Sequence, residues 1–138
     1  MSMPRGIRNN NPGNIDRNPN NKWLGLATDQ SSDKRFCVFV APEYGIRALI
    51  KLIQNYAKQG NNTIRKIINK YAPSNENNTG VYIKQVCEAV GSSPDDILDL
   101  SSYIPTSKLV KAIIRHENGV QPYSDDLLKK AWDLLKCR

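Results

Sequence analysis

The chain has 138 residues and a formal charge of +7, with 39% hydrophobic and 24% charged residues. That length supports one domain with a real core, and the composition is that of a globular protein. No apolar run reaches the ~20 residues of a membrane span. No apolar h-region follows "MSMPRGIRNNN", so synthesis in the cytosol without a signal peptide is expected.

Residues 5 to 15, "RGIRNNNPGNI", read as an ordered bend. Proline presets φ for the second position of a turn, and Gly13 suits the positive φ of a type II third position. Ile7 and Ile15 give the bend something to bury. "KWLGLA" and "RFCVFVA" are short, aromatic and β-branched segments on either side of "TDQSSDK", the pattern of a small β-hairpin. "FCVFV" is apolar at every position, which predicts a strand covered on both faces.

"PEYGIRALIKLIQNYAKQG" is the clearest helix. Pro42 suits its first position, Glu43 complements its positive end, and Gly60 ends it. "NTIRKIINKYA" comes next, with Thr63 as N-cap and Pro73 beyond its end. "NNTGVYIKQVCEAVG" carries Tyr82, Val86 and Val90 on one stripe and stops at Gly91. "SSPDDILDL" reads as a capped short turn, with Asp96 at the capping-box position after Ser93. "PTSKLVKAIIRHENG" closes at Asn118-Gly119, and "YSDDLLKKAWDLLKCR" starts at the cap Ser124. The fold class is therefore mainly α (α+β): a single domain over residues 1–138, about five to six helices and one small β-hairpin, expected to be a monomer.

The chemistry-bearing residues are few. Cys37, Cys87 and Cys137 show no CxxC or Cys/His spacing, so they read as free thiols, and no metal or cofactor is implied. His116 is the only histidine, and no nucleophile motif accompanies it. The positive charge is spread along the chain rather than blocked, so nucleic acid is the lesser alternative. Among the glutamates, Glu88 reads as solvated and Glu43 as a helix-start carboxylate. Glu76, in "APSNENNT", suits either a cap or a substrate contact.

Glu117 breaks a rule. It lies three, four and seven residues after Ile114, Ile113 and Val110, on the apolar face of its helix. It also lies in the last turn, where the helix dipole disfavours negative charge. Both effects oppose the ionised form, which is the condition a general acid requires. The bland alternative is a side chain reaching solvent past the helix end.

Together "RGIRNNNPGNI", "KWLG", "FCVFVAPEYGIRAL", "TIRKIINKYAPSNENNTGVYIKQV" and "KAIIRHENG" resemble phage and prophage virion-associated, lysozyme-like murein-degrading proteins, over nearly the whole chain to about Tyr123. "HENG" is similar to the Glu-Ser-Gly that ends the catalytic helix of lytic transglycosylases. "NNNPGNI" with Trp23 and Gly25 is similar to a cleft-lining stretch of bacterial glucosaminidases. In those enzymes the glutamate precedes the asparagine motif, whereas Glu117 comes after it, which keeps Glu43 as the alternative acid.

The resemblance implies a lysozyme-like domain that cleaves peptidoglycan glycan strands, as a muramidase or lytic transglycosylase. Glu117 would be the acid/base. Asn10, Asn11, Asn14, Trp23, Glu76 and Tyr123 would contact sugar, with Tyr71 and Tyr82 as further stacking candidates. A hydrolase would need a second carboxylate, for which Glu43, Glu76 and Asp16 are available. The partners implied are glycan strands and other virion or secretion components, and the place of action is the cell wall or a virion. The alternatives are a non-catalytic wall-binding or virion structural module that keeps the cleft, and a basic protein associated with phage nucleic acid.

Overall fold

The structure is a computed structural model that describes residues 3–73 and 78–137. Among them six α-helices succeed one another: α1 (Arg5–Arg8), α2 (Pro42–Lys58), α3 (Ile64–Tyr71), α4 (Thr79–Val90), α5 (Tyr103–Asn118) and α6 (Asp125–Asp133). A 3-10 turn over Leu134–Lys136 closes the chain. The mainly helical class expected from periodicity is the one observed. No described helix is long and apolar enough to cross a membrane.

The helix ends obey local capping chemistry. Thr63 Oγ1 accepts from the Lys66 N–H at 3.2 Å, and Ser124 Oγ accepts from the Leu127 N–H at 3.1 Å. Gly91 and Gly119 end α4 and α5 in the left-handed conformation that glycine adopts without a Cβ penalty. α5 begins ahead of Pro105, which its first turn tolerates because that N–H has no helical partner. Between α4 and α5 the chain makes an irregular turn, in which the Ser93 N–H donates to Asp96 Oδ2 at 3.0 Å.

α2 is the central helix. It packs on α3, α5 and α6, while α4 packs on both α3 and α5. Ile46, Leu49 and Ile53 of α2 meet Ile64, Ile67 and Ile68 of α3, Tyr82 of α4, and Leu109, Ile113 and Ile114 of α5 in one fully buried cluster. Each such side chain contributes about 1.5–3 kcal/mol by leaving water. Arg47 is buried among them and donates to the carbonyls of Leu134 at 2.9 Å and Cys137 at 2.6 Å, which latches the C-terminus onto α2.

The first 40 residues are built differently. The expected hairpin is reduced to one antiparallel bridge, Leu26 to Phe39, flanked by Ala27 N–H to Val38 O and Val40 N–H to Gly25 O, both 2.9 Å. It cannot lengthen, because the strand changes partner. At Cys37 its N–H turns to the Ile15 carbonyl, and Asp16 bridges Phe36. The apolar run is also covered on one face only: Cys37 and Phe39 are buried, Phe36 and Val38 are half-buried, and Val40 is exposed.

The bend is ordered and closes as a turn, with the Asn14 N–H donating to the Asn11 carbonyl at 2.9 Å. It is not the type II turn expected, however. The left-handed residues are Asn10 (φ 53°) and Asn14 (φ 51°), not Gly13. Asparagine tolerates that region better than most side chains do. Gly13 is needed for closeness instead: a Cβ there would lie 2.6 Å from the Tyr71 hydroxyl. Gly45 of α2 plays the same part below the bend, where a Cβ would meet the Asn10 carbonyl oxygen at 1.8 Å.

Candidate active site

The bend sits on the C-terminal end of α5. Asn118 Nδ2 donates to the Pro12 carbonyl at 2.8 Å and to its own Ile114 carbonyl at 2.9 Å. The Tyr71 hydroxyl, from α3, donates to the Gly13 carbonyl. These contacts bring Asn14 and Glu117 face to face, although more than a hundred positions separate them in the chain.

Glu117 is half-buried and held at both carboxylate oxygens. Asn14 Nδ2 donates to Oε1 at 3.0 Å, and the Tyr82 hydroxyl donates to Oε2 at 2.9 Å. The side chain thus occupies the last turn of an otherwise apolar helix face, as expected. It is not isolated there: two donors from two other elements fix it. Burial, first, and then the neighbouring Tyr71 and Glu117 push the Tyr82 phenol far above its ordinary range, so that hydroxyl remains a donor. Burial does the same to Tyr71.

Glu117 lies on the wall of a cleft of about 570 Å³. The cleft is lined by the end of the bend and the loop after it, Gly13 to Pro19 with Asn21, and by Leu52 and Tyr56 of α2 with Tyr71 of α3. Arg35 and Phe36 also line it. Asp16 stands in this cleft with Arg35 Nε at 2.7 Å. Of the two described carboxylates considered as partners for Glu117, Asp16 lines the same cleft and Glu43 does not.

The other expected site residues divide sharply. Asn14 is in the cleft. Asn11 is fully buried, donating to the carbonyls of Ile15 (3.1 Å) and Cys37 (2.9 Å) and accepting from the Ile15 N–H (3.0 Å), so it organises the bend and cannot meet a sugar. Asn10 likewise donates to the Phe39 carbonyl at 3.0 Å. Trp23 packs against the core and lines a separate groove with Arg47, Lys51 and Asn55. Tyr123 is half-buried against the core, its phenol pKa raised to about 12 by burial, and does not line the cleft. Tyr82 is fully buried, so it supports Glu117 rather than stacking on a ligand. Glu76 lies outside the described residues.

Glu43 is not in the cleft either. It pairs with Lys130 of α6 at 2.9 Å, and that hydrogen bond holds its carboxyl below the usual glutamate range. An ion-paired carboxylate on the α2–α6 side is poorly suited to donate a proton.

A residue hidden in the polar connector proves structural. Asp33 is buried and accepts from Arg5 Nε and Nη2 at 2.6 and 2.7 Å, from Asn9 Nδ2 at 2.8 Å, and from the N–H groups of Arg35 and Phe36. Arg5 first, then those N–H groups and Asn9, hold its carboxyl far below the ordinary range against the cost of burial. Asp33 thereby ties α1 to the segment that carries Arg35 and Phe36, which line the cleft. Among the described residues no three His, Cys, Asp or Glu side chains cluster as metal ligands would.

No family model matches the chain. It is 36% identical over 132 residues to Protein P5 of Pseudoalteromonas phage PM2, an alignment that covers 94% of this chain and 80% of that protein.

Proposed function

We propose that this chain, which belongs to the family of the phage protein P5, cleaves the glycan strand of peptidoglycan, with Glu117 as general acid and base. The observation that carries this reading is the carboxylate itself. It is half-buried, stands on the wall of a cleft, and is fixed at both oxygens by donors from two other elements. A phage protein has a use for wall cleavage at entry or exit. The lysozyme-like family resemblance of the "HENG" and "NNNPGNI" stretches points to the same substrate.

In this mechanism Glu117 delivers its proton to the glycosidic oxygen as the bond to the anomeric carbon breaks. The resulting carboxylate then takes a proton from the nucleophile, either the sugar's own 6-hydroxyl or water. Each carboxylate oxygen has two lone-pair sites and accepts one hydrogen bond from the protein, so capacity remains for the transferred proton. Asn14 and Tyr82 limit rotation of the group during both steps. In the hydrolytic variant Asp16, which lines the same cleft, would stabilise developing positive charge or orient water.

Glu117→Gln tests the proposal, because it preserves shape and removes the proton. Activity on purified peptidoglycan is expected to fall by roughly two to four orders of magnitude, with the melting temperature kept. Mass spectrometry of the parent's products separates the chemistries: 1,6-anhydro ends mean that Glu117 works alone, and reducing ends bring in Asp16. Equal binding to walls by parent and variant, with no cleavage by either, would overturn the enzymatic reading in favour of a binding or virion structural module.

A further inference from the structure

Behind the Tyr82 hydroxyl lies a second layer. The His116 ring stacks on the Tyr82 ring with centroids 3.6 Å apart and planes 24° apart. His116 Nδ1 lies 2.6 Å from Gln85 Oε1, a pair that is satisfied when Nδ1 carries the hydrogen. Tyr82 and Gln85 are both on α4, and His116 and Glu117 are adjacent on α5. The order Gln85, His116, Tyr82, Glu117 is therefore continuous, from the α4–α5 groove through to the cleft.

We propose that His116, clamped by Gln85 and stacked on Tyr82, is a positioning residue that sets the Tyr82 hydroxyl on the Glu117 carboxylate. This inference rests on the reading of Glu117 as the acid/base. The histidine lines the α4–α5 groove and not the cleft, so it acts through the phenol. A stacked ring fixes the plane of Tyr82, and the plane fixes where its hydroxyl points. An imidazolium formed in the same place would add positive charge beside both the phenol and the carboxylate.

Burial pulls the His116 imidazole below the ordinary histidine value, and the Glu117 carboxylate partly opposes this. Groups of α4 and α5 surround it, and the charged groups of the other elements are engaged elsewhere or only carried on helices that pack against α5. α4 brings Tyr82, Gln85 and Glu88, and α5 itself brings Arg115 and Glu117. α1, which also packs on α5, carries Arg8 and Arg5, the latter held by Asp33. The buried cation of α2, Arg47, is engaged by the C-terminal carbonyls, and Asp125 at the start of α6 is paired with Lys111.

His116 is the chain's only histidine, so NMR of its ring protons in the intact protein tracks one titration. Its midpoint should lie below the ordinary value and fall further in Glu117→Gln, where the opposing negative charge is gone. In kinetics, His116→Ala should lower kcat about ten- to a hundredfold with little change in KM, the scale of a misplaced catalytic group. His116→Phe restores a flat ring and should recover much of that loss, but its profile of kcat against pH should lack the inflection that in the parent tracks the NMR midpoint. In a Tyr82→Phe background, His116→Ala should cost nothing further.

A histidine titration indifferent to Glu117→Gln, or an equal loss from His116→Ala with and without the Tyr82 hydroxyl, would overturn the proposal while leaving Glu117 as the acid. A parent inactive on every wall would overturn the enzymatic reading and, with it, any positioning role for His116.

Discussion

Two halves of this molecule are held together by different physics. From Pro42 onward, helices bury isoleucine and leucine at helical spacing, and water exclusion carries the stability. Before Pro42 there is one helix of four residues and no β-ladder among the described residues. Polar side chains there do the work of secondary structure: Asn11 and Asp33 each satisfy several buried backbone or side-chain groups. The cleft lies along the seam, with Glu117 from the helical half and Asn14 and Asp16 from the polar half. The apolar helical half thus supplies the cleft carboxylate, and a hydrogen-bonded loop region supplies one of its holders and part of the cleft lining.

The sharpest way to break this comparison is Asp33→Asn. It removes the buried charge that Arg5 and two N–H groups are arranged around, and should cost about 2–4 kcal/mol in urea unfolding at neutral pH. The half-exposed Arg5 keeps the figure in that range rather than above it. The pH dependence has a definite sign. Asp33 is held far below its unfolded value, so its contribution is complete above the ordinary aspartate range and is lost as pH falls through that range toward the folded value. The parent should therefore lose this part of its stability in acid, and Asp33→Asn should not. An unchanged unfolding midpoint at neutral pH would mean that the polar half is held by something other than this network.

A paired substitution separates fold from chemistry within the bend. Asn11→Ala removes the donor to the buried Cys37 carbonyl and the acceptor of the Ile15 N–H, and should cost about 2–3 kcal/mol, with activity per folded molecule kept. Asn14→Gly retains the left-handed backbone but deletes the amide that holds Glu117. Its stability should change by less than about 1 kcal/mol, while turnover falls about tenfold, the equivalent of one lost hydrogen bond in the transition state. If the two variants exchange behaviour, the cleft does not run where Asn14 faces it.

That contrast also explains what the sequence reveals. Helical spacing announces α2 to α6 through residues such as Ile46, Leu49 and Ile113, because burial on one face leaves a period. The caps Thr63, Ser124 and Gly91 are legible for the same reason: each satisfies a local geometric demand. Glu117 stands out because it violates the pattern around it. Asn10 and Asn11 read as cleft residues alongside Asn14, because a loop asparagine has the same amide whether it turns inward or outward. Asp33 is invisible inside "TDQSSDK", where nothing local distinguishes a buried aspartate from a solvated one. The role of His116 depends on a contact between helices, which no spacing within one helix encodes.

The smallest expected effect concerns the alternative acid. Glu43 opens α2 and pairs across to Lys130 of α6, so it belongs to the helical half and to its stability. Glu43→Gln should lower stability by less than about 1 kcal/mol, because Lys130 is largely exposed and solvent screens the pair. The sign comes from the direction of the shift. The Glu43 carboxyl is held below its unfolded value by Lys130, so its contribution is present above the ordinary glutamate range and disappears as pH falls through it. The melting curves of parent and Glu43→Gln should differ slightly at neutral pH and low salt, and converge in acid or in high salt. Cleavage of peptidoglycan should be the same for both. If Glu43→Gln is inactive while Glu117→Gln still cuts, the acid sits on α2 and Glu117 is a helix-end residue held by Asn14 and Tyr82 for structure alone. The placement of Glu43 outside the cleft, with its carboxylate facing a lysine, argues for the first outcome.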